Sequence, residues 1–378
     1  MKTSDEKKNI VYRPTWAEVD LQATRHNFRQ IRRLYPQKKI IAVVKADAYG
    51  HGMKAVAGLL DKEKVDVFGV ANVLEAIQLR RQGIRQPILV FESLLSPCEE
   101  TIVRYNLIPS ICTLEFAEGL NRYAQKKRRI IDVHIKVDTG MGRLGVWHKD
   151  ASDFVHRVSQ LYHLRITGLY THFPSADSDV LFTRRQMREL TELIQKLDRQ
   201  GLVVPDIHQA NSMGLIGYPS NLNLARPGLM LYGLSPKPGV RSKIQLKPAL
   251  SVKSKIVFLK ELAKGRGISY GRTFVASRKM TIATLPIGYN DGYPRCLSNK
   301  SFCLVGGKRC RVVGRVTMDQ LMVDVSQVKN VFLGMEVVLL GRQGRVSVTA
   351  DDLARWAGTI NYEIVCSLGN RLPRIYKE

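Results

Sequence analysis

Ile40-Ile41-Ala42-Val43-Val44-Lys45-Ala46-Asp47-Ala48-Tyr49-Gly50-His51-Gly52 starts as a near-continuous apolar run and ends on a lysine followed by a glycine-flanked polar turn. A run of this kind reads as a buried strand of a parallel sheet. Seven more follow: VDVFGVA from Val65, PILVFE from Pro87, IPSICT from Ile108, DVHIKVD from Asp132, ITGLYTH from Ile166, DIHQAN from Asp206 and LARPGLMLYG from Leu224. The segments between them have helical periodicity and C-terminal glycines, as in VLEAIQLRRQG ending at Gly83 and the run from Leu181 to Gly201. Eight βα units predict an α/β fold, a (β/α)8 TIM-type barrel over residues 16–245, with its chemistry at the C-terminal ends of the strands.

From about Pro248 the pattern changes to period two, as in SVKSKIVFL from Ser251, with glycine turns at Gly306-Gly307 and Gly314. A smaller, mainly-β domain over residues 246–378 is expected, and Ile10-Val11-Tyr12 within residues 1–15 could lend it a strand. A chain of 378 residues with 44% hydrophobic and 24% charged residues can fill two such cores. MKTSDEKKNI is charged but leads into no apolar stretch, and no run approaches the ~18 apolar residues of a membrane span. The expected location is therefore the cytoplasm, away from membranes.

The six cysteines form no CxxC pair and no ligand spacing with histidine, so neither a metal site nor a disulfide framework is expected. The net charge of +26 is spread over both parts of the chain: residues 246–378 hold 22 Lys and Arg against 9 Asp and Glu, leaving +13 for the rest. The densest run, Lys126-Lys127-Arg128-Arg129, reads as an exposed helix end before a strand. With no binding motif beside the charge, a nucleic-acid partner is not expected.

Lys45 at a buried strand end is costly unless it lines the barrel mouth, where desolvation would favour the free amine that reacts with a carbonyl cofactor. A lysine snorkelling to solvent is the plain alternative. Four other strand ends carry polar groups: Lys136 and Asp138 leading to Arg143, His172 in YTHF, Asn211-Ser212, and Arg226 in ARPG. Each alone has a structural explanation, such as a satisfied core histidine or a rim ion pair, but together they suggest one site. Ser212 could cap a short helix near a phosphate, and Gly228 would permit close backbone approach. Loops at Ser269–Phe274, Gly288–Arg295 and Gly314–Gln320 present tyrosines and a methionine that turn chemistry and packing would also explain.

Taken together, AVVKADAYGHG, VDTGMGRLG, YTHF, ARPGLMLYG, SYGRTF, IGYNDGYPR, GRVTMDQLMVD and TINYEIV resemble the alanine racemase family of fold-type III enzymes, in order over residues 17–374. The resemblance implies pyridoxal 5'-phosphate as cofactor, L- and D-alanine as substrates, D-alanine supply for peptidoglycan, and a homodimer with composite sites. It implies that Lys45 holds the cofactor and serves the D face, while Tyr270 of the partner subunit serves the L face. Two groups on opposite sides of a planar centre are what racemisation needs. Arg226 would face the cofactor's ring nitrogen with His172 hydrogen-bonded behind it. Tyr49, Asn211, Ser212, Gly228 and Tyr362 would bind the cofactor, the phosphate above all, and Arg143 would lie near its ring hydroxyl. Met318 of the partner subunit would meet the substrate carboxylate through its N–H, and Asp319 would support the Tyr270 side of the site. Lys136 aligns with a lysine often carbamylated in this family. Tyr289, Tyr362, Arg295, Arg315, Ile360 and Asp177 match the channel that restricts the site to small substrates. Pro174-Ser175 and Thr317 depart from the usual pattern.

A fold-type III decarboxylase would normally carry an acidic residue near the ring nitrogen, which Arg226 argues against. A single-barrel pyridoxal-phosphate carrier would lack the region from Ser251 onward. A broader activity on serine stays open, because a pocket discriminates weakly against one hydroxyl.

Overall fold

The computed structural model describes residues 13–237 and 244–378. They form two compact units, Leu21–Pro248 and a second built from Ala249–Glu378 with the segment ending at Asp20.

In the first unit all eight anticipated strands form: β1 (Lys39–Val43), β2 (Val67–Val70), β3 (Ile88–Ser93), β4 (Ile108–Ile111), β5 (Ile131–Asp138), β6 (Leu164–Tyr170), β7 (Asp206–His208) and β8 (Leu224–Ala225). Each pairs in parallel with the next, and Leu224 and Ala225 of β8 pair with Lys39 and Ile40 of β1, closing the barrel. Helices follow the strands outside, started by side-chain caps such as Asn72 on Glu75 N–H at 3.0 Å and Asp179 on Phe182 N–H at 2.9 Å. The basic run 126–129 straddles the end of helix Leu114–Lys126, exposed as expected. After β8 comes only a short 3-10 turn, Leu229–Tyr232. The helix Leu21–Leu34, which precedes β1, packs on that turn and on helix Met53–Lys62 through a buried face that includes Phe28 and Ile31. It therefore covers the stretch of barrel that the last repeat leaves without a helix.

The second unit has a main sheet in the order Lys308–Arg311, Phe302–Val305, Glu336–Gln343, Leu250–Lys255, Thr15–Asp20, Arg374–Lys377. Residues 16–20, read from sequence as the start of the barrel, thus belong to this sheet: Thr15–Asp20 runs antiparallel to Leu250–Lys255 and parallel to Arg374–Lys377. The alternating burial of TWAEVD suits a strand covered on one face, and Glu18 on the other face pairs with Lys253 at 3.2 Å and Lys377 at 2.5 Å. The strand proposed at Ile10-Val11-Tyr12 lies outside the described residues. A three-stranded sheet, Phe258–Leu262, Met280–Leu285 and Leu321–Asp324, completes the unit.

Asn27, fully buried on helix Leu21–Leu34, donates to Leu231 O at 3.1 Å and Lys247 O at 2.8 Å, and accepts from Lys247 N–H at 2.8 Å. One amide thereby joins the turn after β8 to the last residues of the barrel unit. Replacing Asn27 with Ala strands three backbone groups, and the expected cost is about 2–3 kcal/mol of stability. A denaturant titration that found no change in midpoint would show the amide to be dispensable.

Candidate active site

At the C-terminal end of β1, Val44 N–H makes the last bond to the neighbouring strand, with Gly69 O at 2.9 Å, and Lys45 follows. The next four residues, Ala46, Asp47, Ala48 and Tyr49, have φ values of 52°, 51°, 54° and 54°. A run of left-handed residues costs about 1–2 kcal/mol each for side-chain-bearing positions, so it must be held. The bonds Ala48 N–H to Val44 O (2.9 Å), Gly50 N–H to Ala46 O (3.0 Å) and Gly52 N–H to Asp47 O (2.8 Å) close it. The buried His51 lies with Nδ1 2.9 Å from Tyr49 O and 3.1 Å from Ala48 O; carbonyls only accept, so Nδ1 carries the proton. Tyr232 stacks on His51 with ring centroids 4.5 Å apart and donates to Val43 O at 2.9 Å.

Arg226, 4% exposed, leaves the end of β8 and donates through Nη2 to Thr171 O at 2.7 Å and Gln209 O at 3.0 Å. Its Nη1 lies 2.6 Å from Nδ1 of His208. A guanidinium only donates, so His208 Nδ1 accepts and its proton sits on Nε2, which donates to His134 Nδ1 at 3.0 Å. Burial first, and Arg226 next, hold His208 well below the usual histidine range, and burial brings His134 down to about 4. Both rings are neutral at pH 7. Arg226 itself is pushed down by burial only to about 10, so it stays a cation. His172, expected behind Arg226, bonds to it with Nδ1 3.5 Å from Nη2, and His208 adds a shorter contact that the sequence reading missed. His134 and His208 occupy the third position of DVH and DIH, inward positions on two strands, and that match is the signal by which sequence reading could have found them.

Tyr170 stacks on His208 with centroids 4.6 Å apart and bonds to Ser110 Oγ at 2.6 Å. Gly168 makes room for this layer, since a Cβ there would lie 2.4 Å from the His134 ring. Lys136 is buried with Nζ 4.6 Å from the centre of the Tyr170 ring; burial, then Arg226 and Arg143, lower it to about 7. Asp138 accepts from Gly140 N–H at 2.8 Å and Gly142 N–H at 2.9 Å, which fixes the loop that carries Arg143. Burial, then Arg226, Lys136, Arg143 and Lys45, hold His172 well below its usual value, so these cations share one mouth.

The short helix Ser212–Gly217 is capped by Asn211, whose Oδ1 accepts from Gly214 N–H at 2.9 Å, and not by Ser212 as the sequence suggested. Ser212 Oγ instead accepts from Gly228 N–H at 3.1 Å and Met230 N–H at 3.4 Å, which leaves its O–H as a donor. A Cβ at Gly228 would lie 2.7 Å from Tyr49 Oη. The hydroxyls of Tyr49 and Ser212 thus meet around a glycine whose side chain must be absent, donors and a shape that fit a phosphate.

In the second unit, Tyr270 begins the turn Tyr270–Arg272 and is 71% exposed. The turn joins strands Gly267–Ile268 and Phe274–Val275, anchored in a core of Leu262, Ile268, Ala276, Met280, Ile282 and Val313. Ser269 Oγ donates to Arg315 O at 2.6 Å, and the Arg315 guanidinium packs on Gly271. Tyr289 N–H bonds to Thr317 O at 3.0 Å and Asn290 N–H to Met318 O at 3.1 Å, joining those two loops; the Met318 N–H makes no hydrogen bond among the described residues. Asp319 pairs with Arg371 at 2.8 Å. Buried Asp291 holds Arg13 and accepts from Gly288 N–H at 2.9 Å. Tyr362 lies half-buried on helix Asn361–Cys366. Among the described residues no cluster of His, Cys, Asp or Glu is arranged to hold a metal, and no helix is long and apolar enough to cross a membrane.

Two family models match the chain: alanine racemase, N-terminal domain, over residues 19–236, and alanine racemase, C-terminal domain, over residues 249–376. An alanine racemase of Halothermothrix orenii is 45% identical over 370 residues, 97% of this chain and 98% of that one. The structure of alanine racemase from Clostridium difficile 630 superposes with a TM-score of 0.91 at 38% identity, covering 97% of this chain and 96% of the other. That of alanine racemase from Bartonella henselae with covalently bound pyridoxal phosphate does so with a TM-score of 0.87 at 27% identity, covering 96% and 99%.

The neutral histidines make stability depend on acid. An unfolded histidine binds its proton near 6.5 whereas His134 resists until about 4, so the unfolded state holds more protons in that window. Stability should therefore be full above pH 6.5 and fall as pH drops toward 4, by about 3 kcal/mol through His134 alone. His208 acts with the same sign. Denaturant titrations at pH 7 and 4.5 should show a shallower acid loss in His134→Gln; an equal loss would contradict the assignment.

Proposed function

This chain belongs to the alanine racemase family, and we propose from that premise that Lys45 and Tyr270 are the two residues that move the substrate proton. The chain interconverts L-alanine and D-alanine with pyridoxal phosphate. When bound, pyridoxal phosphate supplies the electron sink that makes the Cα proton of alanine removable.

The observation that carries the site reading is the guanidinium of Arg226 at the end of β8, fixed by donation to two backbone carbonyls and His208. A group facing this guanidinium must accept a hydrogen bond, which suits an unprotonated ring nitrogen and disfavours a decarboxylase that keeps a carboxylate there. Tyr49, Ser212 and Gly228 would hold the phosphate, and Lys45 would hold the cofactor through its aldehyde carbon. Lys45 takes or returns the proton on the D face and Tyr270 on the L face. Arg143 and the N–H of Met318 of the partner subunit orient the substrate carboxylate.

A tyrosine that is 71% exposed at a hairpin tip, in a unit that also exposes Met318 (51%) and Tyr289 (41%), has the accessibility of a group that works in another subunit's site. A homodimer with composite sites follows from that reading. Lys136, with its amine near half-neutral at pH 7, has the free base that carbon dioxide needs. The amine adds to the carbon and releases a proton, which turns a buried cation into an anion beside Arg143. Cytoplasmic D-alanine supply for peptidoglycan is the matching role.

The test is racemisation of L-alanine by the cofactor-loaded protein beside Lys45→Ala and Tyr270→Phe. Lys45→Ala should lose both the covalent cofactor absorbance and racemisation. Tyr270→Phe should slow hydrogen exchange from L-alanine by about 10²–10⁴-fold, the usual loss for a missing general base. Exchange from L-alanine at the parent rate in Tyr270→Phe would remove Tyr270 from the reaction, and release of carbon dioxide would point to decarboxylation.

A further inference from the structure

We propose that Glu75, which has no part in the roles above, is a positioning residue that sets the direction of Lys45. The inference rests on the reading of Lys45 as the D-face base.

Glu75 is the third residue of helix Val73–Arg81, held at its backbone by the Asn72 cap at 3.0 Å. Its carboxylate is used twice at the barrel mouth. Oε1 accepts from Ala46 N–H at 2.8 Å and Oε2 from Ala71 N–H at 2.7 Å. Ala46 follows Lys45 in the chain, and Ala71 follows the last residue of β2. One side chain therefore joins the ends of two neighbouring strands, and the carbonyl of Ala71 continues the connection by accepting from the N–H of Glu92, near the C-terminal end of β3, at 3.0 Å.

The need for this acceptor comes from the left-handed turn. Val44 N–H makes the last bond to β2, and Ala46 is the first residue with positive φ, 52°. Its N–H is the opening donor of a turn that supplies no carbonyl for it, and an ionised carboxylate is the strongest acceptor a side chain can bring. Without that bond Ala46 is free to return to negative φ, a change favoured by the usual steric preference of alanine. Rotation about the bonds at Ala46 redirects the Lys45 carbonyl and with it the direction in which the lysine side chain leaves the strand. Glu75→Gln keeps one acceptor oxygen and sets an NH2 group against the other backbone N–H, so one of the two bonds is lost without a change of size.

A misdirected Lys45 has a signature that general destabilisation lacks. Enantiomers have equal free energies, so kcat/KM is the same in both directions and any defect lowers both alike. The proton-transfer step that limits the rate, however, depends on which base is impaired. In Glu75→Gln the deuterium isotope effect with α-deuterated D-alanine should rise above the parent value, and that with α-deuterated L-alanine should fall toward one. A kcat about 10–100-fold lower is expected for an error of this size in geometry. A readout independent of turnover is the rate at which the apoprotein takes up pyridoxal phosphate, followed by borohydride reduction and mapping of the labelled peptide; uptake should slow about tenfold or more.

If both isotope effects keep their parent values, or if uptake is as fast as in the parent, the positioning role is wrong. Glu75→Ala is the more severe variant; should it fail to fold, Glu75→Gln decides the matter by the same readings. In the parent protein, a borohydride label found away from Lys45 overturns the reading on which the inference rests. A label on Lys45 with unchanged isotope effects in Glu75→Gln overturns only the role of Glu75.

Discussion

A buried guanidinium must keep its charge and find an acceptor for its N–H groups, and the C-terminal half of the barrel interior is arranged to meet that demand at Arg226. Two backbone carbonyls and His208 accept from it. The last of these fixes the tautomer of His208, which fixes that of His134, which in turn requires glycine at 168. Tyr170, stacked on His208, is oriented by Ser110 and becomes the surface over which Lys136 lies. No carboxylate takes part in this chain of contacts. The low dielectric of the interior therefore works against every added proton, which is why the histidines stay neutral and the Lys136 amine lies close to deprotonation.

The barrel was legible because its strands are buried on both faces, and that burial writes itself into short β-branched runs. Several features were not legible, each for a local reason. Thr15–Asp20 alternates like a half-buried strand but is separated by more than 200 residues from its partner, so position in the chain suggested the wrong sheet. The left-handed turn is made by Ala46, Asp47, Ala48 and Tyr49, of which only aspartate has any leaning to positive φ; its conformation comes from side-chain bonds, a tertiary one from Ala46 to Glu75 and local ones through His51 and Asp47, not from propensity. Ser212 and Asn211 are both good caps, and only the demand of Gly228 and Met230 for an acceptor decides between them. His172 stood out by following a strand, whereas His208 was concealed inside one.

The second unit solves a different problem. Tyr270 is exposed and cannot be held by its own burial; its hairpin is held from below by a compact apolar cluster and from the side by Arg315. The Tyr289 and Met318 loops share backbone bonds, so they behave as one piece. Buried Asp291 ties this piece to Arg13, next to the strand that the N-terminal segment contributes. Exposure of the side chains and rigidity of the backbone are thus separated between two sets of contacts.

The cations that share the mouth of the barrel, Lys45, Arg143 and Arg226, give it the character of an ion exchanger. Before any cofactor arrives, sulfate, chloride and inorganic phosphate compete for the same field, in proportion to their charge and concentration. The ionic composition of the surrounding solution, and not affinity alone, then governs how quickly the apoprotein is loaded. A phosphate buffer and a neutral amine buffer at the same pH are, for this protein, chemically different surroundings.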